Sequence, residues 1–423
     1  MKSNFENIHT DVLIIGGGIA GILTAYFLDK NGVDYVLVEK DKICSGITGR
    51  TTAKITAQHG LIYQKLVKDI GVENAAKYLE INLKACDMYA GLCSEIECDY
   101  EVKNNYVYSM NDSKKLISEM EALRKMKYKA RLCKNLSLPF QTAGAVMFPS
   151  QARFNPIKLL NAISVNLNIR ENTFVKEMIG NTAVTDKGII QAEKVIVATH
   201  FPFINKHGSY YMKLYQHRSY VVALKGAGAV DGMYVDEDRR GLSFRGYEDY
   251  LIVGGGGRRT GQCKGGPDEL KAQVHRLFPN ASICAEWAAQ DCMSLDGIPC
   301  IGRYSKRTHD LYVATGFNKW GMTSSMVSAM LLTDMIMGRK NEYANVFSPS
   351  RSMIKPQLFV NMFEAAKNIL TISTPRCPHL GCALKWNRDE HTWDCPCHGS
   401  RFTENGKLLD NPANKSLDKM KCK

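Results

Sequence analysis

The rhythm of apolar and polar positions divides the chain into elements. Asp11-Val-Leu-Ile-Ile15 is an apolar run that breaks into Gly16-Gly-Gly18-Ile-Ala-Gly21 and then takes helical spacing up to Lys30. A second apolar run, Tyr35-Val-Leu-Val-Glu39, ends in an acid. Strand, glycine turn, helix and strand within about thirty residues predict a βαβ unit. Helical spacing returns over 62–90 (Leu66, Ile70, Ala75, Leu79, Leu83), 113–125 and 156–165, while 101–108 and 173–178 read as strands. Residues 189–200 end in a buried run, and 210–290 are strand-rich with a glycine-dense turn at 254–257. A strand beginning at Leu311 then runs into Gly316 and Gly321, where a helix rich in small residues starts near Met322.

Length and composition narrow the picture. A chain of 423 residues, 45% apolar and 23% charged, fits an ordinary globular protein of two or three domains. The net charge of +13 raises nucleic acid as a partner, yet pairs such as Arg239-Arg240 and Arg258-Arg259 are scattered rather than clustered with aromatics. That pattern excludes a nucleic-acid binder and leaves room for an acidic redox partner. Of fourteen cysteines, nine precede residue 377 without a regular framework, which points to reduced thiols and a cytoplasmic setting. The start, Met1 to Asn7, lacks the apolar run of a signal peptide, and the stretch nearest to a membrane span, 322–337, is interrupted by Asp334.

The first motif has a direct chemical reading. Gly16, Gly18 and Gly21 let backbone approach a pyrophosphate at a helix N-terminus, and Glu39 can accept from a ribose hydroxyl. The competing reading is a glycine turn in an unrelated βαβ unit, and the motif does not choose between FAD and NAD. The loop that follows, Ile43-Cys-Ser-Gly-Ile-Thr-Gly-Arg-Thr-Thr-Ala-Lys-Ile-Thr56, resembles that of the D-amino acid oxidase superfamily. The resemblance implies FAD, with Gly46, Arg50, Thr51 and Thr52 beside it, Val175 as a backbone contact to adenine, and Ala198-Thr199 below the flavin. It also implies that the helix opening at Gly316, Gly321, Met322 and Thr323 points at the flavin ring. The implied fold is α/β plus β. A discontinuous Rossmann-like FAD domain of glutathione-reductase type (about 1–90, 145–205 and 292–348) would carry an antiparallel-sheet substrate domain (about 91–144 and 206–291).

Reacting residues are less sharply marked. Cys292-Met-Ser-Leu-Asp-Gly resembles the segment through which monomeric sarcosine oxidases attach FAD, implying a covalent link at Cys292; a buried structural cysteine is the competing reading. Where other relatives carry an attaching histidine, this chain has Arg50. Related enzymes hold a substrate carboxylate with Arg and Tyr, which makes His217, Arg218, Tyr220, Arg245 and Tyr247 candidates, each against an ordinary structural role. His59 and Lys319 sit in the flavin-proximal motifs, and with Arg218 they form the catalytic expectation. Sarcosine oxidases place an oxygen-assisting lysine on a strand near the flavin; the matching run Tyr250-Leu-Ile-Val-Gly254 has none, which favours an acceptor other than oxygen.

Composition changes after Ser348. Pro349, Pro356 and Pro375 bracket a segment whose Phe359, Met362, Phe363, Ala366 and Ile369 share one helical face, so 349–370 reads as a linker and docking helix; a membrane-surface helix would need a more basic polar face. Two boxes follow, Cys377-Pro-His-Leu-Gly-Cys382 and Cys395-Pro-Cys-His-Gly-Ser400, eighteen positions apart. Two cysteines and two histidines from two loops are the ligand set of a [2Fe–2S] centre in which imidazoles replace two thiolates on one iron. Structural zinc also accepts two Cys and two His, with different usual spacings. The boxes resemble those of Rieske proteins, which implies Cys377, His379, Cys395 and His398 as ligands and a disulfide between Cys382 and Cys397. Against that family, 371–423 is short, so this minimal module must lean on the flavin half or on a partner chain.

Together these readings predict an FAD-dependent oxidoreductase that oxidises an amine or amino acid and passes electrons singly through the cluster. The alternatives are a flavin oxidase with a zinc-stabilised interaction tail, and a sensor of redox or iron status.

Overall fold

The apolar run at Val12–Ile15 becomes the middle of a sheet in the computed structural model, which describes residues 6–417 apart from Arg239 and Thr374. The first five residues of the start read above, Arg239 of the basic pair, and the last six residues of the expected 371–423 module lie outside the described residues. The strand Glu6–Ile15 pairs in parallel with Gly188–Val197 on one side and Tyr35–Val38 on the other. Leu311–Thr315 and Ile169–Arg170 extend the parallel sheet, and Cys300–Arg303 adds an antiparallel edge. Alternate side chains go to opposite faces: Val12, Ile14 and Leu37 join the core containing Leu23, Met326 and Leu332, while Leu13, Ile15 and Val36 pack with Phe201 and Tyr304. Helices Ile19–Lys30 and Gly321–Ile336 lie together on the first face. Burial on both faces explains why these strands read as unbroken apolar runs.

A second, largely antiparallel sheet runs in the order Ser282–Ser294, Leu214–Lys225, Tyr250–Arg259, Ser243–Tyr247, Met233–Asp236, Glu101–Ser109, Gly144–Arg153 and Lys54–Ile55. This moves one expected boundary. Residues 145–153 belong here rather than with the nucleotide sheet, because Tyr106 pairs with Met147 and Val107 with Val146 along the Glu101–Ser109 strand. Helix Tyr63–Glu95 bends at Gly71, whose φ of 80° no helix continues through.

The C-terminal part is a four-stranded antiparallel sheet of three-residue strands, Lys385–Asn387, Thr392–Asp394, Arg401–Thr403 and Leu408–Asp410. Its apolar core is small, built from Leu384, Phe402 and Ala413 around the cysteines of the two boxes. Helix Pro356–Leu370 precedes it. Among the described residues, no helix is long and apolar enough to cross a membrane.

Candidate functional site: a glycine cradle and a cysteine–histidine centre on one ribbon

The glycine turn has the tightness that nucleotide binding requires. A Cβ on Gly16 would stand 2.5 Å from the Ala198 carbonyl oxygen, and one on Gly21 would collide with the Gly16 carbonyl. Gly18 faces the Thr48 hydroxyl, which accepts a hydrogen bond from the Ile19 amide at 3.0 Å and so sets the start of the helix. Glu39 accepts from the Gly17 amide at 2.7 Å, and its backbone pairs with Arg170 and Thr173, which brings Val175 to this end of the sheet. A backbone cradle at a helix N-terminus with an acid beside it fits the pyrophosphate and ribose of FAD.

A cavity of about 400 Å³ is lined by Arg50, Thr51, Thr52, His59, Lys319, Gly321 and Met322 among others. Gly46 has open space around it, Gly316 turns at φ 71°, and Thr323 is buried against His59. His59 is a framework group. Its Nδ1 accepts from the Tyr78 hydroxyl at 2.6 Å, its Nε2 lies 3.0 Å from the Thr56 carbonyl, and its ring stacks on Trp320. Burial pushes its pKa down to about 3, so the ring is neutral.

Two sequence expectations change here. The Cys292 side chain belongs to the apolar core with Leu214, Cys300 and Val313, and its thiol meets the Thr315 hydroxyl at 3.5 Å. Its neighbours Asp291 and Met293 line the cavity, so strand alternation turns Cys292 to the other face, away from a flavin. Arg218 likewise faces away from the cavity: its guanidinium binds both carboxylate oxygens of Glu390, which the Tyr220 hydroxyl also approaches. Arg245 donates to the Thr52 and Ala53 carbonyls, and the Tyr247 hydroxyl donates to Asp99.

The two boxes converge as their spacing implied. The imidazoles of His379 and His398 meet edge to face at 4.9 Å between centroids, and both Nδ1 atoms are buried with no hydrogen-bond partner. His379 Nε2 is held 2.9 Å from Asn205 Oδ1, which fixes the tautomer that leaves Nδ1 free to ligate. Burial and the facing imidazole push His379 down to about 3, keeping it in the neutral, ligating form. Bonds from Cys377, Cys382 and Cys397 hold the Cys395 thiol well below its ordinary pKa. Two buried, unpartnered imidazole nitrogens beside a cysteine with thiolate character fit a [2Fe–2S] cluster. Cys382 and Cys397 are free thiols rather than the expected disulfide, although both sulfurs lie within 4.8 Å of Cys395 Sγ.

The strands Leu214–Lys225 and Ser282–Ser294 carry the cavity on one face and the cluster loops on the other. Tyr215, Ser219, Ala289, Asp291 and Met293 line the cavity. Between them, Gln216 packs on Gly399, Gln290 donates to the Gly399 carbonyl at 2.8 Å, and Arg218 takes Glu390. The flavin-side turn also reaches the cluster: Asn411 donates to the Thr199 and Phe201 carbonyls at 2.7 Å, and Phe201 abuts both histidines. Gln216, Gln290, Asp291 and Asn205 were not singled out from sequence. Period-two alternation was the only signal that could have found the ribbon residues, and it needs the register to be read.

The sequence pattern of the FAD dependent oxidoreductase family, DAO, matches residues 11–335, and that of the Rieske [2Fe-2S] domain matches 343–421. The chain belongs to the DAO family of FAD dependent oxidoreductases. This DAO protein carries a C-terminal Rieske domain and binds FAD and a [2Fe–2S] cluster. It is 33% identical to the putative Rieske 2Fe-2S iron-sulfur protein YhfW of Bacillus subtilis (strain 168), across 97% of this chain and 93% of that one. Its cluster segment is 50% identical over 42 residues to the cytochrome b6-f complex iron-sulfur subunit of Synechococcus sp. (strain JA-3-3Ab), covering 10% of this chain and 24% of that one. The DAO fold superposes on glycine oxidase from Geobacillus kaustophilus (TM-score 0.68, 17% identity, 82% of this chain and 99% of that one). It superposes equally on L-proline dehydrogenase from P. horikoshii (TM-score 0.69, 19% identity, 82% and 98%).

Proposed function

We propose that this oxidoreductase oxidises an amine or amino acid, FAD taking the hydride and the Rieske centre carrying the electrons away one at a time. The observation that carries this reading is the shared ribbon: one layer of sheet has the cavity on one face and the cluster loops on the other. The chain's own groups divide the remaining work. Gly16, Gly18, Gly21 and Glu39 hold the nucleotide, and the loop from Arg50 to Thr52 with the helix start at Gly321 encloses the ring end. Cys377, His379, Cys395 and His398 hold the cluster, with Asn205 fixing one imidazole. A protonated amine must lose a proton before it can give up a hydride, and Asp291 faces the cavity to take it. Burial raises its carboxyl above the usual range against the nearby charges of Lys319, His200 and Arg218.

Anaerobic addition of amines and amino acids to the holoprotein, with flavin absorbance and the EPR signal of the reduced cluster followed together, tests the reading. Flavin bleaching followed by the cluster signal supports it. Bleaching without cluster reduction, under conditions where dithionite does reduce the cluster, would overturn the relay. Asp291→Asn should lower turnover about 10²-fold or more and remove the acid limb of the pH profile, with flavin content unchanged.

A further inference from the structure

The helix Pro356–Leu370 is amphipathic in the reverse sense to an ordinary surface helix. Its inward face is largely polar, with Leu358 and Ala365 the apolar exceptions. Asn361 donates to the Met212 carbonyl at 3.1 Å and accepts from Arg259 at 2.9 Å, and buried Asn368 receives the Ala383 amide on its carbonyl. Its apolar face is turned outward. Phe359 is 62% exposed, Phe363 68% and Leu370 78%, with Val360, Met362 and Ile369 exposed beside them. Ile354 before the helix is 78% exposed and Ile372 after it 98%. The apolar face on which the reading of a docking helix rests is therefore open on the outside of this chain.

The ridge also runs up to the cluster. Arg376 donates to the Ile369 and Thr371 carbonyls at 3.2 and 2.7 Å and to the Gly381 carbonyl at 2.7 Å, tying the helix end to the loop of ligand His379 and exposed Leu380. The flanking charge is positive. Along 355–376, Lys355, Lys367 and Arg376 face a single acid, Glu364, and Lys206 is exposed next to the Asn205 that holds His379.

We infer that this ridge docks the protein on an anionic lipid surface, with the edge of the cluster module turned toward the bilayer. Shape and charge together favour lipid. Large side chains standing proud of a single convex helix need a phase that deforms around them, whereas a protein partner would need a complementary groove. A cationic rim is drawn to an anionic leaflet. A second copy of the chain would instead bring one +13 charge against another.

Flotation of the full-length holoprotein with vesicles of equal parts phosphatidylglycerol and phosphatidylcholine, against phosphatidylcholine alone, tests this. The expected result is retention on the anionic vesicles that weakens as salt rises. Phe359→Ser with Phe363→Ser and Leu370→Ser should cut retention about 10²-fold, with flavin and iron content unchanged. A Phe363→Trp variant should show a blue-shifted tryptophan emission, relative to the parent protein, that brominated lipids quench. Absence of retention on either vesicle would overturn the proposal. So would a concentration-dependent dimer, seen by sedimentation without lipid, that the serine variants dissolve.

Discussion

In the nucleotide half, what matters is how closely backbone can approach backbone: Gly16 lies against Ala198 and Gly21 against Gly16, over a large apolar core on both faces of a parallel sheet. In the cluster half, apolar core is scarce and charge takes its place. Arg401 is buried among Asp394 at 3.0 Å, Asp410 at 3.2 Å and Glu390 at 3.3 Å, while Arg218 and Arg258 reach across from the flavin half to Glu390 and Asp389. Arg259 adds bonds to the Pro396 and Cys397 carbonyls. A module too small to bury much hydrocarbon is thus completed by the protein it sits on. Its stability and its docking are one quantity.

The sharpest break of that comparison is Cys395→Ser, which should abolish iron binding and the reduced-cluster EPR signal while flavin absorbance persists. Next comes Arg218→Met. Arg218 and Glu390 side chains are only 4% and 17% exposed, so the variant takes from a buried carboxylate its two-pronged partner and leaves it Arg401 at 3.3 Å. The expected cost is about 3–5 kcal/mol, seen as earlier unfolding and faster proteolysis of the cluster module alone. Replacing Glu390 by Met in the same chain should recover much of it. Gly16→Ala works on the other half: strain at a φ of 114° and the clash with Ala198 should cost about 1–3 kcal/mol, read as lost FAD with iron retained.

Acid is a milder probe of the same interface. Burial alone would raise the Glu390 carboxyl, but the Arg218 bond and the charges of Arg218, Arg401 and Arg258 bring it below its ordinary value. A depressed folded pKa stabilises above the unfolded value of about 4.3 and loses that contribution as pH falls through the folded value. The module should therefore loosen below about pH 4, before the flavin half releases FAD. The smallest effect is expected at Cys292: acid precipitation should send all flavin into the supernatant, and Cys292→Ala should leave FAD content unchanged.

What was legible in the sequence follows the same division. The FAD turn and the two cluster boxes are local, with the residues that matter a few positions apart and spacing forced by the ligand, so Gly16 to Glu39 and Cys377 to His398 could be read directly. Arg218 could not, because its partner lies 172 positions away and belongs to another module. Cys292 failed for a parity reason: whether an even or odd residue faces the flavin depends on how the strand sits in its sheet. Helix periodicity showed that the helix carrying Phe359 and Phe363 is two-faced, but nothing in periodicity says which face is covered.

The ribbon of Leu214–Lys225 and Ser282–Ser294 has one last implication. Because Tyr215, Asp291 and Met293 line the cavity while Gln216, Arg218 and Gln290 meet the cluster loops, inserting or deleting one residue near Gln216 or Gln290 would turn neighbouring side chains to the opposite faces, pointing cluster contacts into the cavity and cavity groups at the iron loops. Point substitutions there can injure either half alone, but a change of length injures both.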